Sequence, residues 1–316
     1  MNTPSIALCI PAYNAAACLP RLLQSAKAQT ISFDEIWVYD DCSTDNTAEI
    51  AQQLGATVVT GETNLGCSHG KNVLAERTHC DWIHFHDADD ELYPNFVEVA
   101  RRWMLREDCP DVVLFDYEWR DEETNAMLST RHFDSNQLGK DPISYAIQEQ
   151  INPFCGLYRR SAYLMAGGYD TDPLVLYNED VAFHCRMAIA GLTFAAEPTI
   201  TIINYHRKNS MSAANQQKCT RAAFHVMQKV AAQVGEKYAK DIGQKLWGIA
   251  GISASRSDWK TARDCVSLAI SLNCKAPTHT SCLFRLACIL NPYCAMYLRE
   301  HIIRMLKPAL RQLPTP

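Results

Sequence analysis

Trp82-Ile83-His84-Phe85-His86-Asp87-Ala88-Asp89-Asp90-Glu91-Leu92 is an apolar run closed by the carboxylates of Asp87, Asp89 and Asp90. The apolar part has the length and content of a buried strand, so the acids are delivered at a strand end. Carboxylates crowded there repel one another and raise each other's pKa. A hard divalent cation that seeks oxygen, Mn²⁺ or Mg²⁺, relieves that cost. An ion held by one or two carboxylates completes its shell with water and phosphate oxygens, which points to a phosphorylated, nucleotide-linked substrate. The competing reading is a solvated acidic turn before a helix over Phe96 to Leu105, whose dipole would favour Asp90 or Glu91.

Working outward, further apolar, β-rich runs occur at Ile6 to Ile10, Ile36 to Tyr39 and Thr57 to Thr60. Helical spacing separates them. Leu19, Leu22, Leu23 and Ala26 share one face, and Ala48, Ile50, Ala51 and Leu54 share another that stops at Gly55. Strands alternating with helices predict an α/β fold with a mainly parallel sheet flanked by helices. Ligands of such sheets bind beyond the carboxyl ends of the strands. Pro11, Ala12, Tyr13 and Asn14 follow the first strand, Asp40 and Asp41 the second, and Asp87 to Asp90 the fourth. Asp111 to Trp119 reads as another strand with a hairpin return at Met127 to Phe133, and ITIINYHRK as a later one. An amphipathic helix through Val181, Cys185, Ala188 and Ile189 ends at Gly191. Beyond about residue 217 the pattern is helical throughout. The expected organisation is therefore a domain over 1–215 and a helical region over 216–316.

At 316 residues, 47% hydrophobic and 21% charged, the chain has the composition of a folded globular protein, and its net charge of -5 disfavours nucleic acid as a partner. The start MNTPSIALCIPAYN lacks a basic leader, and no apolar stretch has membrane-spanning length, so a cytoplasmic location is expected. The 14 cysteines are scattered without C-x-x-C spacing, which suits buried reduced thiols.

Ser43, Thr44 and Asp45 can cap the helix that follows them, but capping does not account for Asp40, which is placed to accept from a base N–H or a ribose hydroxyl. NLGCSHGKN, residues 64 to 72, lacks the spacing of a P-loop, and no G-x-G-x-x-G lies near a strand. Lys71 there is a candidate point charge for phosphate.

Taken in order, Ile10 to Asn14, Asp40 to Asp45, Asn64-Leu65-Gly66 with Gly70-Lys71-Asn72, Asp87 to Asp90, Gly167-Gly168-Tyr169 and Asn178-Glu179-Asp180 closely resemble the successive signatures of family 2 glycosyltransferases with a GT-A fold. The resemblance covers residues 5 to about 212. It implies an inverting transferase that takes a nucleotide-activated sugar, usually UDP-linked, to an acceptor hydroxyl on a glycan or lipid-linked molecule, with Mn²⁺ or Mg²⁺ bound, as in bacterial surface polysaccharide or glycoconjugate synthesis. Carried over by position, Ala12 and Tyr13 flank the base, with Pro11 and Asn14 in the same nucleotide-binding segment, Asp40 contacts uridine, Asp87 lies near the ribose with Ala88 beside it, and Asp89 is the metal ligand. Asp180 is the base, with Glu179 as its neighbour or substitute. An ionised acid at a helix start suits that role, and equally suits a helix cap.

In Tyr205 to Ser212 the chain departs from the family's usual histidine before S-x-S. His206 falls one residue early and Arg207 takes its place, so His206 is a doubtful metal ligand, while His206, Arg207 and Lys208 together suit a diphosphate. His84 and His86 alternate on one strand, either as an H-x-H zinc site or as packed core histidines. From Ser281 onward an apolar series carries Arg285, Arg299, Arg304, Lys307 and Arg311 against one acid, Glu300. That pattern fits an anionic membrane surface, or a cap on the transferase domain or on a second subunit in a homo-dimer. Other readings are a catalytically inactive sugar-nucleotide-binding or scaffolding relative, and a sugar nucleotidyltransferase. The latter should show a glycine-rich, arginine-containing loop where Pro11 to Asn14 stand.

Overall fold

The computed structural model describes residues 3–207 and 215–311. Lys208 and the Asn209 to Ser212 segment discussed above lie outside those residues. The chain divides into two compact units, one of Met1–Ala146, Gln150–Thr171 and Phe183–Ser210, the other of Ile147–Glu149, Asp172–Ala182 and Met211–Pro316.

The first unit is built on a nine-stranded sheet. Its strands are β1 (Ile6–Ala12), β2 (Glu35–Asp40), β3 (Thr57–Thr60), β4 (Trp82–Phe85), β5 (Glu91–Leu92), β6 (Val112–Asp121), β7 (Met127–Arg131), β8 (Gly156–Arg159) and β9 (Phe194–His206). They lie in the order β3-β2-β1-β4-β8-β6-β9-β5, with β7 beside β6. Strands β3, β2, β1 and β4 run parallel, as their alternation with helices predicts. All seven residues of β1 and all four of β4 are buried, as expected of central strands covered on both faces. At the edge, β3 is short and half-exposed. Beyond β4 the sheet is mixed: β8 enters antiparallel between β4 and β6, β9 returns parallel to β6, and β5 and β7 pair antiparallel. The Asp87 to Asp90 turn joins β4 to β5.

Helices α1 (Leu19–Lys27), α2 (Thr47–Gln53), α3 (Cys67–Arg77) and α4 (Phe96–Met104) connect the early strands, followed by α5 (Ser135–Lys140), α6 (Pro142–Gln148), α7 (Arg160–Met165) and α8 (Glu179–Ile189). In α1 the buried residues include Leu19, Leu22, Leu23 and Ala26, the face read from the sequence. The Gly167-Gly168-Tyr169 segment is fastened to α3 by one side chain. Asn72 Oδ1 accepts from Tyr163 Oη at 2.5 Å and from the Tyr169 N–H at 2.8 Å, while its Nδ2 donates to the Tyr169 carbonyl at 3.1 Å. Gly168 has φ +59, and a Cβ there would collide with Asn72 Oδ1. Tyr169 then stacks on Phe183, ring centroids 4.1 Å apart.

In the second unit, α9 (Gln216–Ser255) is kinked at Tyr238 and is followed by α10 (Trp259–Ser271), α11 (Cys282–Leu290) and α12 (Pro292–Leu306). Asp258 caps α10 through Thr261 and pairs with Arg221 at 2.8 Å. All 14 cysteines are free thiols, half of them buried.

The Asn72 clamp makes a measurable difference between two glycines. Gly191 also has positive φ, +86, but open space around its Cβ position. Gly191→Ala should cost about 1–2 kcal/mol, the strain of a left-handed L-residue. Gly168→Ala should cost about 1–3 kcal/mol more, because it also breaks the Asn72 hydrogen bonds. Urea denaturation of the two variants checks this, and equal losses would contradict the clamp.

Candidate functional site

The carboxyl ends of β1, β2 and β4 lie side by side, with Ala12 opposite Asp40 in the β1–β2 register. Pro11 and Ala12 are the last residues of β1 rather than a loop after it, and Asp40 closes β2. Tyr13 is half-exposed beyond the strand end, and Asn14 turns the chain with φ 49. Asn14 is also a fastener. Its N–H donates to Ser43 Oγ at 2.9 Å, and its side-chain oxygen accepts from the Thr44 N–H at 2.8 Å. Asp45 accepts from the Thr47 N–H and the Ala16 N–H. Ser43, Thr44 and Asp45 therefore tie the loop between β2 and α2 to the loop that follows β1, and none of the three is the N-cap of α2.

The two acids of the second strand end are used differently. Asp41 accepts from the N–H groups of Leu65 and Gly66 at 2.8 and 2.7 Å, which fixes the start of α3. Asp40, buried to 3% exposure, accepts from the Ser43 N–H at a long 3.3 Å. That leaves its carboxylate with acceptor capacity at the mouth of the sheet. Gly70 lets α3 press against Tyr39, since a Cβ there would fall 2.6 Å from the ring. This close approach carries Lys71, itself buried, to 3.7 Å from Asp87 Oδ1, with its ammonium 5.1 Å from the Tyr169 ring centroid.

The Asp87 to Asp90 turn divides in the same manner. Asp90 is 1% exposed and accepts from Asn204 Nδ2 at 2.7 Å and from the Tyr205 N–H at 2.9 Å, so it anchors β9. Burial, then the charges of Asp89 and Asp87, hold its carboxyl well above the usual range. Asp89 keeps a partly exposed side chain, and Arg207 Nη1 lies 3.3 Å from its Oδ2. Its carboxyl is also raised, by burial first and by Asp87 second, in spite of Arg207. At both acids burial is the larger cause and the neighbouring carboxylates add to it.

Arg207 donates to Glu122 Oε1 at 2.6 Å, and Arg21 lies 3.3 Å from the same oxygen. Arg21 also donates to the Asp89 carbonyl and stacks 3.9 Å over the Tyr205 ring. Neither Arg21 nor Glu122 stands out in the sequence. Arg21 is one of two cations on the helix that presents Leu19, Leu22 and Leu23, and Glu122 is one acid among several in a polar excursion.

His84 and His86 are core residues. Both are fully buried, His84 Nδ1 lies 2.9 Å from the Gly156 carbonyl and His84 Nε2 3.0 Å from His86 Nδ1. Burial pushes the His84 pKa well below the usual imidazole range and that of His86 down to about 3, so both are neutral. His206 ends β9 and is exposed, and the residue of this segment that reaches Asp89 is Arg207. Among the described residues no cluster of three or more His, Cys, Asp or Glu side chains is gathered to hold a metal ion. Asp89, with Asp87 beside it, offers instead the oxygen donors that suit Mn²⁺ or Mg²⁺ completed by water and phosphate oxygens. Glu179 and Asp180 belong to the second unit, in the first turn of α8; Glu179 is buried and Asp180 partly exposed.

Comparisons with known proteins bear on the family and the fold. An uncharacterized glycosyltransferase of Haemophilus influenzae is 24% identical over 240 residues, 75% of this chain and 81% of that one. Staphylococcus aureus TarS (residues 1–349) in complex with UDP-GlcNAc shares the fold with a TM-score of 0.69 at 18% identity, over 98% of this chain and 92% of that one. A mannosyltransferase of Pyrobaculum calidifontis in complex with GDP-Man and Mn²⁺ gives 0.57 at 15% identity, over 98% and 88%. The glycosyl transferase family 2 model matches residues 7–164, half of the 316-residue chain and the part that holds Asp40, Lys71, Asp87 and Asp89, and the chain belongs to that family.

Proposed function

We propose that this chain is an inverting glycosyltransferase that moves a sugar from a nucleoside diphosphate, UDP in the first instance, to an acceptor hydroxyl. The observation that carries the reading is the convergence of Asp40, Lys71, Asp87, Asp89 and Arg207 within one unit at the ends of β1, β2 and β4. Acids with spare acceptor capacity stand beside cations able to neutralise phosphate, the pairing a nucleoside diphosphate requires. The complexes of the S. aureus and P. calidifontis proteins with UDP-GlcNAc and with GDP-Man and Mn²⁺ support that ligand class.

In this reading Ala12 and Tyr13 flank the base, with Pro11 and Asn14 in the same nucleotide-binding segment, Asp40 accepts from the uracil N–H or a ribose hydroxyl, and Asp87, followed by Ala88, lies by the ribose. Asp89 would hold Mn²⁺ or Mg²⁺, which when bound offsets the charge gathering on the leaving diphosphate. Lys71 and Arg207 add fixed positive charge on the protein side. Inversion needs a base that takes the acceptor proton as the new C1–O bond forms and the bond to UDP breaks. Asp180 is assigned that task in preference to Glu179, because Asp180 is accessible while Glu179 is buried. His206 is left without a role.

The ligand class is tested by thermal shift with a panel of UDP- and GDP-sugars in Mn²⁺, because a ligand selective for the folded state raises its apparent stability. A UDP-sugar should raise the melting temperature. No shift from any donor would contradict the proposal. Asp89→Ala should abolish transfer, measured as UDP release with acceptor, while the unfolding transition survives. Asp180→Asn should lower kcat by about 10²–10⁴-fold with UDP affinity unchanged. A near wild-type rate in either variant overturns that assignment.

A further inference from the structure

We propose that α11 and α12 form a docking surface for an anionic lipid bilayer. A helix in a globular unit normally turns its apolar side chains inward. In α11 the one buried side chain is Cys288, whereas Leu283, Leu286, Ile289 and Leu290 are 80, 60, 62 and 88% exposed. On α12, Ile302 and Leu306 are 49 and 75% exposed. Scattered exposed apolar residues are ordinary, but four of the nine residues of α11 are large, apolar and exposed, a concentration that marks a contact surface.

Charge identifies the partner. Between Ser281 and Arg311 the sequence has Arg285, Arg299, Arg304, Lys307 and Arg311 against the single acid Glu300. Glu300 is 1% exposed and bonds Arg304 at 3.1 Å and Arg311 at 2.6 Å, so it is consumed internally. Arg285, Arg299 and Lys307 remain exposed, with no ion pair among the described residues, and Arg299 lies 5.4 Å from the Phe284 ring centroid. An apolar face edged by uncompensated cations suits anionic headgroups over acyl chains. A second copy of the chain would set like charges against one another.

The neighbouring groove, about 470 Å³, is lined by Trp259, Arg263, Tyr293, Tyr297 and Leu298. Amphipathic aromatic rings of this kind settle at headgroup level. No helix among the described residues is long and apolar enough to cross a membrane, so the contact is interfacial.

The test is flotation of the full chain with vesicles of phosphatidylcholine, with and without phosphatidylglycerol. The chain should float with the anionic vesicles and stay down with the neutral ones. Each cation near such a surface is worth roughly fivefold in partitioning, so Arg285→Glu, Arg299→Glu and Lys307→Glu combined should lower it by about a hundredfold or more. Leu283→Glu with Leu286→Glu should abolish flotation with the thermal unfolding transition unchanged, because both side chains are already in water. A wild-type chain that does not float, or flotation indifferent to both sets, overturns the proposal. So does a concentration-dependent dimer, seen by sedimentation, that Leu286→Glu dissolves without any lipid binding. The readout is independent of catalysis: a chain that floats but transfers no sugar would sink only the enzymatic reading.

Discussion

Repulsion among carboxylates at the ends of β2 and β4 is the constraint around which the first unit is organised. Each acid must either be spent on the protein's own N–H groups or be balanced by a cation. Asp41 and Asp90 are spent: one holds the start of α3, the other holds β9 against the turn after β4. Asp87 and Asp89 are balanced in part, by a buried lysine and by an arginine shared with Glu122. Burial first and the charge of Asp87 second raise the Asp89 carboxyl in spite of Arg207, and a cation bound there would favour its charged form.

The structural acids also place the candidate ligand-binding ones. By fixing Leu65 and Gly66, Asp41 sets the register of α3, and Gly70 allows that helix to lie close to Tyr39. Lys71 consequently enters the sheet edge as a buried charge, and Asn72, one residue on, grips the Gly167 to Tyr169 segment. Arg21 performs the matching service on the other side by holding the Asp89 carbonyl and Glu122.

Much of this was legible in the sequence, and the losses have definite causes. Strands β1 to β4 and helices α1 and α2 announce themselves through apolar, β-rich runs and clear helical spacing between them. β8, GLYR, begins with glycine and ends with arginine, and β5 has only two residues, so neither carries a readable pattern and the mixed part of the sheet emerges only in three dimensions. Asp40 and Asp41 are indistinguishable as letters, as are Asp89 and Asp90; only hydrogen-bond partners separate a clamp from an acid with acceptor capacity. His84 and His86 have the spacing of a metal pair, and burial against a carbonyl and each other decides for packing. In α11 and α12, an amphipathic pattern alone leaves core and surface faces equivalent, whereas the exposure of the leucines shows that this face is not packed into a core.

The central claim, that the acid cluster is completed by a divalent cation together with a diphosphate, predicts that each strengthens binding of the other. Calorimetric titration of UDP with and without Mn²⁺ measures that coupling directly. For the wild-type chain Mn²⁺ should tighten UDP binding, and for Asp89→Asn the gain should disappear. Equal UDP affinity with and without the ion in the wild-type chain, or an undiminished gain in the variant, would contradict the account.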